Sequence, residues 1–352
     1  MKMPSVMIGM SGGVDSSVAA MLLTTTEMGC IGATMQLWGG GDCRDAKAIA
    51  SQLGIPHVVL DCQKEFKETV LKNFVSCYEG GLTPNPCIFC NRTMKFGLML
   101  EKARELGCTY VATGHYAKIE KDPDSGRYLL KKAEDAAKDQ TYFLYSLNQD
   151  QLAHTLFPLG NLRKEQIRVM AEEHGLITAH KRDSQDICFI PDGDYVAFLR
   201  QYTGKAYPQG NYLDQSGKVL GCHQGAVSYT IGQRRGLGIA LGEPAYVIDK
   251  DMEKNTVTLG PNEALMSPAL LADGMNWILP PAGADPIRCT GKIRHSQFDQ
   301  PATLYPQENG QCIAVFDKPQ RAISPGQAAV FYQGDVIIGG GTIRRALKAG
   351  EY

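Results

Sequence analysis

The chain has 352 residues, more than a single small hydrophobic core holds, so we expect two or three domains. A hydrophobic fraction of 43% and a charged fraction of 21% exclude a disordered chain, and no apolar run is long enough to span a membrane. The formal net charge of −1 excludes a uniformly basic nucleic-acid binder, so any nucleic-acid site needs a local basic face. We predict a cytoplasmic protein without a membrane partner.

Short apolar strands alternate with helical patterns through the first part of the chain. The predicted strands lie at 6–8, 31–35, 57–60 and 110–113. Apolar residues recur at helical spacing between the strands, as they do over 46–53. Strands joined by crossover helices form a parallel sheet, and ligands bind at the carboxyl ends of its strands. The predicted fold of this part is therefore α/β, with a ligand pocket near Ser11–Ser16, Met35 and Gly114.

The rest of the chain is predicted to be helical first and then rich in β-strands. A turn at 121–127 separates two extended segments and predicts an inserted hairpin, whereas 140–200 is predicted to be helical. After about residue 204, short β-type segments follow one another between glycines and prolines, which is typical of small barrels or sandwiches. A break near 279–283 predicts two β units. The expected domains are a catalytic α/β domain over 1–200 and β-rich domains over 204–280 and 281–352.

A glycine-rich segment, Ser11-Gly12-Gly13-Val14-Asp15-Ser16, lies between the first predicted strand and the first predicted helix. Glycines let the backbone turn tightly against a ligand, and successive N–H groups at a helix N-terminus bind anions. The segment has no lysine of the kind found in the Gly-x-x-x-x-Gly-Lys loop, so it is a different phosphate-binding motif. It is similar to the PP-loop signature of enzymes that cleave ATP to AMP and pyrophosphate. The alternative is a serine–glycine helix cap with no ligand.

Eleven cysteines, an odd number in a chain of this size, indicate free thiols rather than a disulfide framework. Some of them lie in a series of motifs that follow the glycine-rich segment. These motifs are GLTPNPCIFCN at 81–91, TGHY at 113–116, DSQDICFI at 183–190, SYTIGQRRGLG at 228–238 and SPGQA at 324–328. Together with the glycine-rich segment, they resemble the tRNA-specific 2-thiouridylases over nearly the whole chain.

This resemblance implies ATP-dependent 2-thiolation of the wobble uridine of particular tRNAs, with Mg²⁺ accompanying the pyrophosphate. At the matching positions, Cys90 is implied as the nucleophile and Cys188 as the carrier of a persulfide. The implied ATP-binding residues are Gly9, Met10, Ser11, Gly12, Gly13, Val14, Asp15, Ser16, Met35 and Gly114. The implied tRNA-binding residues are Asn85, Pro86, Cys87, His115, Lys138, Asp139, Gln140, Arg294, His295 and Gln327.

Cys87 departs from the family pattern, because the best-known members have an aspartate at this position. The departure creates the motif Cys87-x-x-Cys90, with Cys188 as a third thiol. This set of three cysteines resembles that of some other tRNA thiolases, which hold a [4Fe–4S] cluster whose open iron binds hydrosulfide. Two thiols suffice for a persulfide relay. The sequence leaves both routes open. The sulfur donor is accordingly a protein, such as a cysteine desulfurase or a relay protein, or hydrosulfide.

Two other functions fit parts of the sequence. An amide-forming PP-loop synthetase would use the glycine-rich segment but has no use for paired reactive thiols. A non-catalytic RNA-binding protein would bind tRNA without needing that segment. Basic residues that could form the required RNA-binding face are Lys131, Lys132, Lys138, Lys181, Arg182, Arg234, Arg235, Arg344 and Arg345.

Overall fold

The computed structural model of the chain describes residues 4–39, 43–181, 187–283 and 285–352. The chain divides into two compact units. The first unit comprises Met1–Leu71, Pro86–Phe189 and Asp335–Gly339, and the second comprises Lys72–Asn85, Ile190–Gly334 and Gly340–Tyr352. In the described part of the chain, no helix is long and apolar enough to cross a membrane.

Helices and strands alternate in the first half, and strands dominate the second. The α-helices are α1 (Val14–Thr24), α2 (Arg44–Gln52), α3 (Gln63–Phe66), α4 (Lys72–Glu79), α5 (Pro86–Cys90), α6 (Met99–Glu105), α7 (Gln149–Ala153), α8 (Lys164–Glu173) and α9 (Tyr195–Thr203). Segments Lys67–Leu71 and Asn91–Leu98 are π-helical, and Thr141–Phe143, Ala226–Ser228 and Asn262–Leu265 are 3₁₀-helical.

The strands fall into two groups along the chain. The first seven are β1 (Ser5–Gly9), β2 (Gly29–Gln36), β3 (His57–Asp61), β4 (Tyr110–Ala112), β5 (Lys118–Lys121), β6 (Tyr128–Lys131) and β7 (Thr155–Leu156). The remaining strands are β8 (Gly210–Leu213), β9 (Val219–His223), β10 (Tyr246–Asp251), β11 (Thr256–Gly260), β12 (Met266–Trp277), β13 (Ile287–Lys292), β14 (Gln300–Pro306), β15 (Cys312–Arg321), β16 (Ala328–Gln333) and β17 (Val336–Leu347).

A parallel sheet with the order β3-β2-β1-β4-β7 forms the centre of the first unit. Its middle strand is fully buried at Val6, Met7 and Ile8, which explains why this strand is an uninterrupted apolar run. The four strands predicted from the sequence are confirmed, as is the hairpin of β5 and β6. Strand β7 was missed inside the section predicted to be helical, because a two-residue strand has no periodicity to detect.

The second unit contains two sheets. Strands β10, β11, β8 and β9 form a four-stranded sheet in that order. The other sheet has the order β12-β15-β14-β13-β16-β17-β6-β5, and β12 also pairs with β17, which closes the first six of these strands into a barrel. The pairing of β17 with β6 is made by Val336 and Lys131, which both belong to the first unit. The prediction of small β barrels or sandwiches for this part of the chain is therefore confirmed.

The change from one β sheet to the other lies earlier in the chain than predicted. The sequence prediction put it near 279–283, where a loop does follow β12. However, β12 precedes that loop and pairs with β15, from Met266 opposite Arg321 to Ala272 opposite Cys312. The change of sheet therefore falls at Asn262–Leu265, where no proline-glycine run marks it. The predicted domain limits otherwise stay a prediction.

Candidate active site

The phosphate loop, residues 11–16, connects β1 to α1 at the carboxyl end of the parallel sheet. Gly12 has a φ of +72°, and a Cβ there would lie 2.9 Å from the Cβ of Asp45, so the position requires glycine. The Ser16 hydroxyl accepts a hydrogen bond from the Ser11 N–H at 3.2 Å and donates one to the Gly13 carbonyl at 3.0 Å. Among the residues that the structure describes, no side chain caps α1, so the N–H groups of its first turn are available to an anion.

Gly114, which follows β4, packs directly on the start of α1. A Cβ at Gly114 would lie 2.8 Å from the carbonyl carbon of Asp15 and 2.8 Å from the backbone N of Ser16. Gly114 thus packs against the phosphate loop so closely that there is no room for a side chain at this position. A loop with an uncapped helix start and a backbone-only wall fits the ATP that PP-loop enzymes use.

Gly9, Met10 and Met35 lie beside the loop at the ends of adjacent strands. Gly9 ends β1 and is paired with Ala33 of β2, and the Met10 N–H donates to the Ala33 carbonyl at 2.7 Å. Met10 is 2% exposed, whereas Met35, near the end of β2, is half-buried. Among these predicted ATP-site residues, Met35 therefore has the more accessible side chain.

Two lysines that the sequence analysis did not assign to ATP lie at the loop. The Lys164 ammonium donates to both carboxylate oxygens of Asp15, at 2.8 and 2.9 Å, and the Tyr116 hydroxyl donates to the same carboxylate at 2.7 Å. The Lys181 ammonium donates to the Gly12 carbonyl at 3.0 Å and to Asp45 at 2.8 Å. No local pattern reveals either lysine, because Lys164 is 149 positions from Asp15 and Lys181 is 169 from Gly12.

The three predicted thiols lie close together in the first unit. Cys87 and Cys90 are both on α5, three residues apart and hence neighbours on the helix surface. Cys87 and Cys188 have exposed surface, and Cys90 is 8% exposed. Burial is the main cause that raises the pKa of Cys90 to about 12; Lys95 opposes the rise, and the neighbouring Cys188 and Cys87 add to it. Although Cys87 and Cys188 are exposed, surrounding protein atoms still desolvate their thiolates and raise the pKa of each thiol.

Lys95 is the charged residue common to this thiol group and was missed by the sequence analysis. It lies on the π-helical segment that follows α5, and it is half-buried. After the dominant effect of burial, its charge lowers the pKa of Cys87, Cys90 and Cys188, and it also lowers the pKa of His115. In the described part of the chain, no carboxylate forms an ion pair with Lys95. Its spacing of five residues from Cys90 gave no signal, since an ordinary α-helix does not align such positions.

His115, a predicted tRNA contact, connects the thiol group to the phosphate loop. Its ring packs against Phe96 and Phe157, with centroids 5.8 and 6.0 Å away, and its Nδ1 is 2.7 Å from the Thr113 hydroxyl. Burial, reinforced by Lys95, holds the pKa of His115 well below its usual value, so the ring is neutral at neutral pH. His115 directly follows Gly114, which packs on the loop, and Lys95, whose charge acts on His115, also acts on the three thiols.

Of the predicted contacts at 138–140, two are engaged in internal hydrogen bonds. Asp139 is 6% exposed, and its carboxylate accepts bonds from the Ala133 N–H at 3.0 Å and the Thr141 hydroxyl at 2.6 Å. Both oxygens of the Asp139 carboxylate thus hold the local segment, and the predicted tRNA contact at Asp139 stays a prediction. Gln140 accepts a bond from the Tyr116 N–H at 3.0 Å. Lys138 is half-buried.

A metal site is not formed by these thiols as they stand. Among the described residues, which include Cys87, Cys90 and Cys188, no three His, Cys, Asp or Glu side chains are arranged to hold a metal ion. This arrangement does not fit the predicted [4Fe–4S] cluster.

Two of the other predicted tRNA contacts, Arg294 and Gln327, lie in the second unit and line a cavity of about 380 Å³. The cavity is lined by Thr83, Thr230, Ile231, Gly232, Gln233, Arg294, Ser324 and Gln327. Arg294 donates to the Ala322 carbonyl at 2.8 Å and to the Ser324 hydroxyl at 3.2 Å, and Gln327 donates to the Thr83 carbonyl at 2.8 Å. His295 is exposed and Asn85 is half-buried. The motifs at 228–238 and 324–328 thus meet at one polar cavity.

The predicted basic residues differ in how they are paired. Lys131 pairs with Glu120, Lys181 with Asp45, Arg344 with Asp273 and Arg345 with Glu351. Arg234 and Arg235 are exposed on the loop before β10, and within the described ranges neither forms an ion pair. Arg182 and the first four residues of the motif at 183–190 lie outside the described residues.

Comparison with known proteins covers nearly the whole chain. A family model described as "tRNA methyl transferase HUP domain" matches residues 4–192. Models described as "tRNA methyl transferase PRC-barrel domain" and "Aminomethyltransferase beta-barrel domain" match residues 196–261 and 267–343. These spans follow the α/β unit, the four-stranded sheet and the barrel.

Three relatives illustrate the similarity. The tRNA-specific 2-thiouridylase MnmA of Acetivibrio thermocellus is 48% identical, over 98% of this chain and 100% of that protein. The protein of the same name from Clostridioides difficile is 47% identical, over 97% of this chain and 98% of its own length. That of Symbiobacterium thermophilum is 48% identical, over 97% of this chain and 93% of its own length. With such identity over almost its whole length, the chain belongs to the tRNA-specific 2-thiouridylase family.

Proposed function

We propose that this chain is an ATP-dependent tRNA-uridine 2-sulfurtransferase that thiolates the wobble uridine of particular tRNAs at C2. The observation that carries the proposal is the joint occurrence of a phosphate loop and a group of three thiols in one unit. They are linked through Gly114, which packs on the loop, and His115, which shares the charge of Lys95 with the thiols. An enzyme that joins ATP cleavage to sulfur transfer needs both sites within reach of one substrate atom.

ATP supplies the AMP group that turns the C2 oxygen of uridine into a leaving group. The chain would hold its phosphates with the N–H groups at the start of α1 and the hydroxyls of Ser11 and Ser16, with Mg²⁺ accompanying the pyrophosphate. Gly9, Met10, Gly12, Gly13, Val14, Asp15, Met35 and Gly114 complete the proposed ATP site.

Sulfur transfer by a persulfide relay suits the thiol group best. Cys188 is exposed, so a donor protein such as a cysteine desulfurase or a relay protein can place a sulfane sulfur on it. The Cys90 thiolate then attacks the Cys188 Sγ and forms a Cys90–Cys188 disulfide, and the hydrosulfide that leaves displaces AMP from C2. Two electrons from an external thiol reductant restore both thiols.

A route through a [4Fe–4S] cluster at Cys87, Cys90 and Cys188, with hydrosulfide as the donor, is the second candidate. The motif Cys87-x-x-Cys90 favours it, since thiolates are the usual ligands of such clusters. The arrangement of the described side chains favours the relay instead. Iron and sulfide analysis of anaerobically purified protein decides between the two routes.

We propose that residues of each unit contact the tRNA. The proposed tRNA contacts are Asn85, Pro86, Cys87, His115, Lys138, Gln140, Arg294, His295 and Gln327, with Asp139 contributing backbone only. Arg294 and Gln327 are held by internal hydrogen bonds, so they form a preorganised surface rather than flexible arms. The cytoplasm, where tRNA is modified and thiols stay reduced, is the proposed location.

A single assay tests the proposal. Purified chain, tRNA, labelled ATP and a persulfide donor should give 2-thiouridine, AMP and pyrophosphate. Ser16→Ala should lower the rate about tenfold or more, because the Ser16 hydroxyl links Ser11 to Gly13 within the loop. ADP as the product would exclude the adenylation chemistry. An amide-forming synthetase would remain fully active with Cys188→Ala, whereas a 2-sulfurtransferase would not.

A further inference from the structure

The phosphate loop carries no lysine of its own, although the triphosphate it would hold is strongly anionic. Tertiary structure brings two lysines to it from beyond residue 160. Lys164 is the first residue of α8, and Lys181 lies just before residues 182–186. Both are in the first unit, together with the loop.

Each lysine is bound to a carboxylate in the first turn of a helix that follows a sheet strand. Asp15, in the first turn of α1, holds Lys164, and Asp45, in the first turn of α2, holds Lys181. Both ammonium groups therefore lie at the carboxyl ends of β1 and β2, the edge at which such sheets bind ligands. Lys181 also donates to the Gly12 carbonyl, which is part of the loop itself.

Stability alone gives little reason for the Lys164–Asp15 pair. The Lys164 side chain is 10% exposed and that of Asp15 is 30% exposed, so the pair is largely removed from water. An apolar pair of similar volume is usually at least as stable in such a place. The pair does have a use if it exchanges partners. The Asp15 carboxylate then binds the Lys164 ammonium while no phosphate is present, and a phosphate replaces the carboxylate when it binds.

We propose that Lys164 and Lys181 are phosphate-binding residues of the ATP site, which Asp15 and Asp45 hold in place until ATP or pyrophosphate binds. The inference rests on the proposed use of ATP and assigns to these two lysines the cationic contacts that the loop lacks. Lys164 is the stronger contributor, because it is the more buried of the two; the Lys181 side chain is 49% exposed.

The test measures binding of magnesium pyrophosphate to the full-length chain by calorimetry, without tRNA or a sulfur donor. Four proteins form a double-mutant cycle: wild type, Lys164→Met, Asp15→Asn, and the double variant Asp15→Asn with Lys164→Met. The double variant contains two neutral side chains, so it does not leave one buried charge without its partner and is expected to fold. Its thermal melting without ligand checks that it does. Lys102→Met, which breaks the exposed pair with Glu105 on α6, is the matched control.

A phosphate-binding Lys164 predicts that adding Lys164→Met to Asp15→Asn weakens pyrophosphate binding about tenfold or more. A purely structural Lys164, needed only to neutralise Asp15, predicts equal binding by Asp15→Asn and the double variant, and that result overturns the inference. Lys181→Met should weaken binding about threefold to tenfold, and no change would remove Lys181 from the site. Wild type that fails to bind pyrophosphate at all contradicts the proposed ATP site itself, so the two failures are distinguishable.

Discussion

The lysines at the phosphate loop and the lysine at the thiols are used in opposite ways. Lys164 and Lys181 are each bound to a carboxylate, so the loop holds its positive charge in neutral pairs. Lys95 has no carboxylate partner among the described residues, and its charge acts on three thiols and on His115. A carboxylate beside Lys95 would cancel the positive charge that lowers the pKa of the thiols. At the loop, by contrast, the incoming phosphates can replace the carboxylates.

The thiols of Cys90 and Cys188 should be indispensable for sulfur transfer but not for the reaction of ATP at the phosphate loop. Cys90→Ser or Cys188→Ser should reduce thiouridine formation to the background of the assay, because oxygen neither carries a sulfane sulfur nor attacks one. Adenylation of tRNA, measured as release of pyrophosphate from ATP, should still occur in both variants. Cys222→Ser is the matched control, since Cys222 is an exposed thiol in the second unit. Full thiolation by either variant would contradict the relay.

Removing the charge of Lys95 should slow alkylation of the thiols without affecting phosphate binding at the loop. In Lys95→Met the pKa of Cys90, already raised to about 12 by burial, should rise further. The thiolate fraction at a given pH below that pKa should therefore fall about tenfold. Alkylation of Cys90 by iodoacetamide, followed by peptide mass spectrometry from pH 7 to 10, measures this as a shift of the rate profile to higher pH.

Lys95→Arg keeps the charge and should keep the wild-type alkylation profile. Pyrophosphate binding by Lys95→Met should stay at the wild-type value, because the charge of Lys95 acts on the thiols and not on the phosphate loop. An alkylation profile that does not move in Lys95→Met would mean that Lys95 supports the helix only.

Cys87 separates the two sulfur routes, which Cys90 and Cys188 cannot do. On the relay route, Cys87→Asp should keep thiolation within about tenfold of wild type, because no sulfur passes through this side chain. On the cluster route, a hard carboxylate replaces a soft thiolate, so bound iron and activity should fall together. Thiouridine per enzyme and bound iron are measured anaerobically for both proteins. Iron-loaded wild type whose activity disappears in Cys87→Asp would contradict the relay.

The smallest expected effect concerns tRNA affinity and leaves both chemical sites intact. Arg234→Glu with Arg235→Glu should weaken tRNA binding and reduce its salt dependence, by about two in the slope of log K against log salt if both contact phosphates. Filter binding between 50 and 200 mM salt (about the range over which such contacts are lost) measures it. Lys254→Glu with Lys318→Glu makes the same charge change at exposed positions on other strands and turns. Equal loss in both double variants would remove Arg234 and Arg235 from the proposed tRNA surface.

The sequence by itself determined the features that depend on local geometry. Gly12 and Gly13 between an apolar strand and a helix identified the loop, since only glycine accepts the backbone angles and close approach found there. The buried runs at β1 to β4 identified a parallel sheet, and the spacing of Cys87 and Cys90 put both thiols on one helix. Each of these signals lies within about ten residues of chain.

Only the tertiary structure decided which charges reach those features and which side chains are already occupied. Lys164 and Lys181 come to the loop from more than a hundred positions away, and Lys95 reaches the thiols through a π-helical turn. The Asp139 carboxylate proved to be bonded to its own segment, as polar side chains often are when they are buried. Such pairings depend on distances between remote segments, and no pattern of neighbours along the chain encodes those distances.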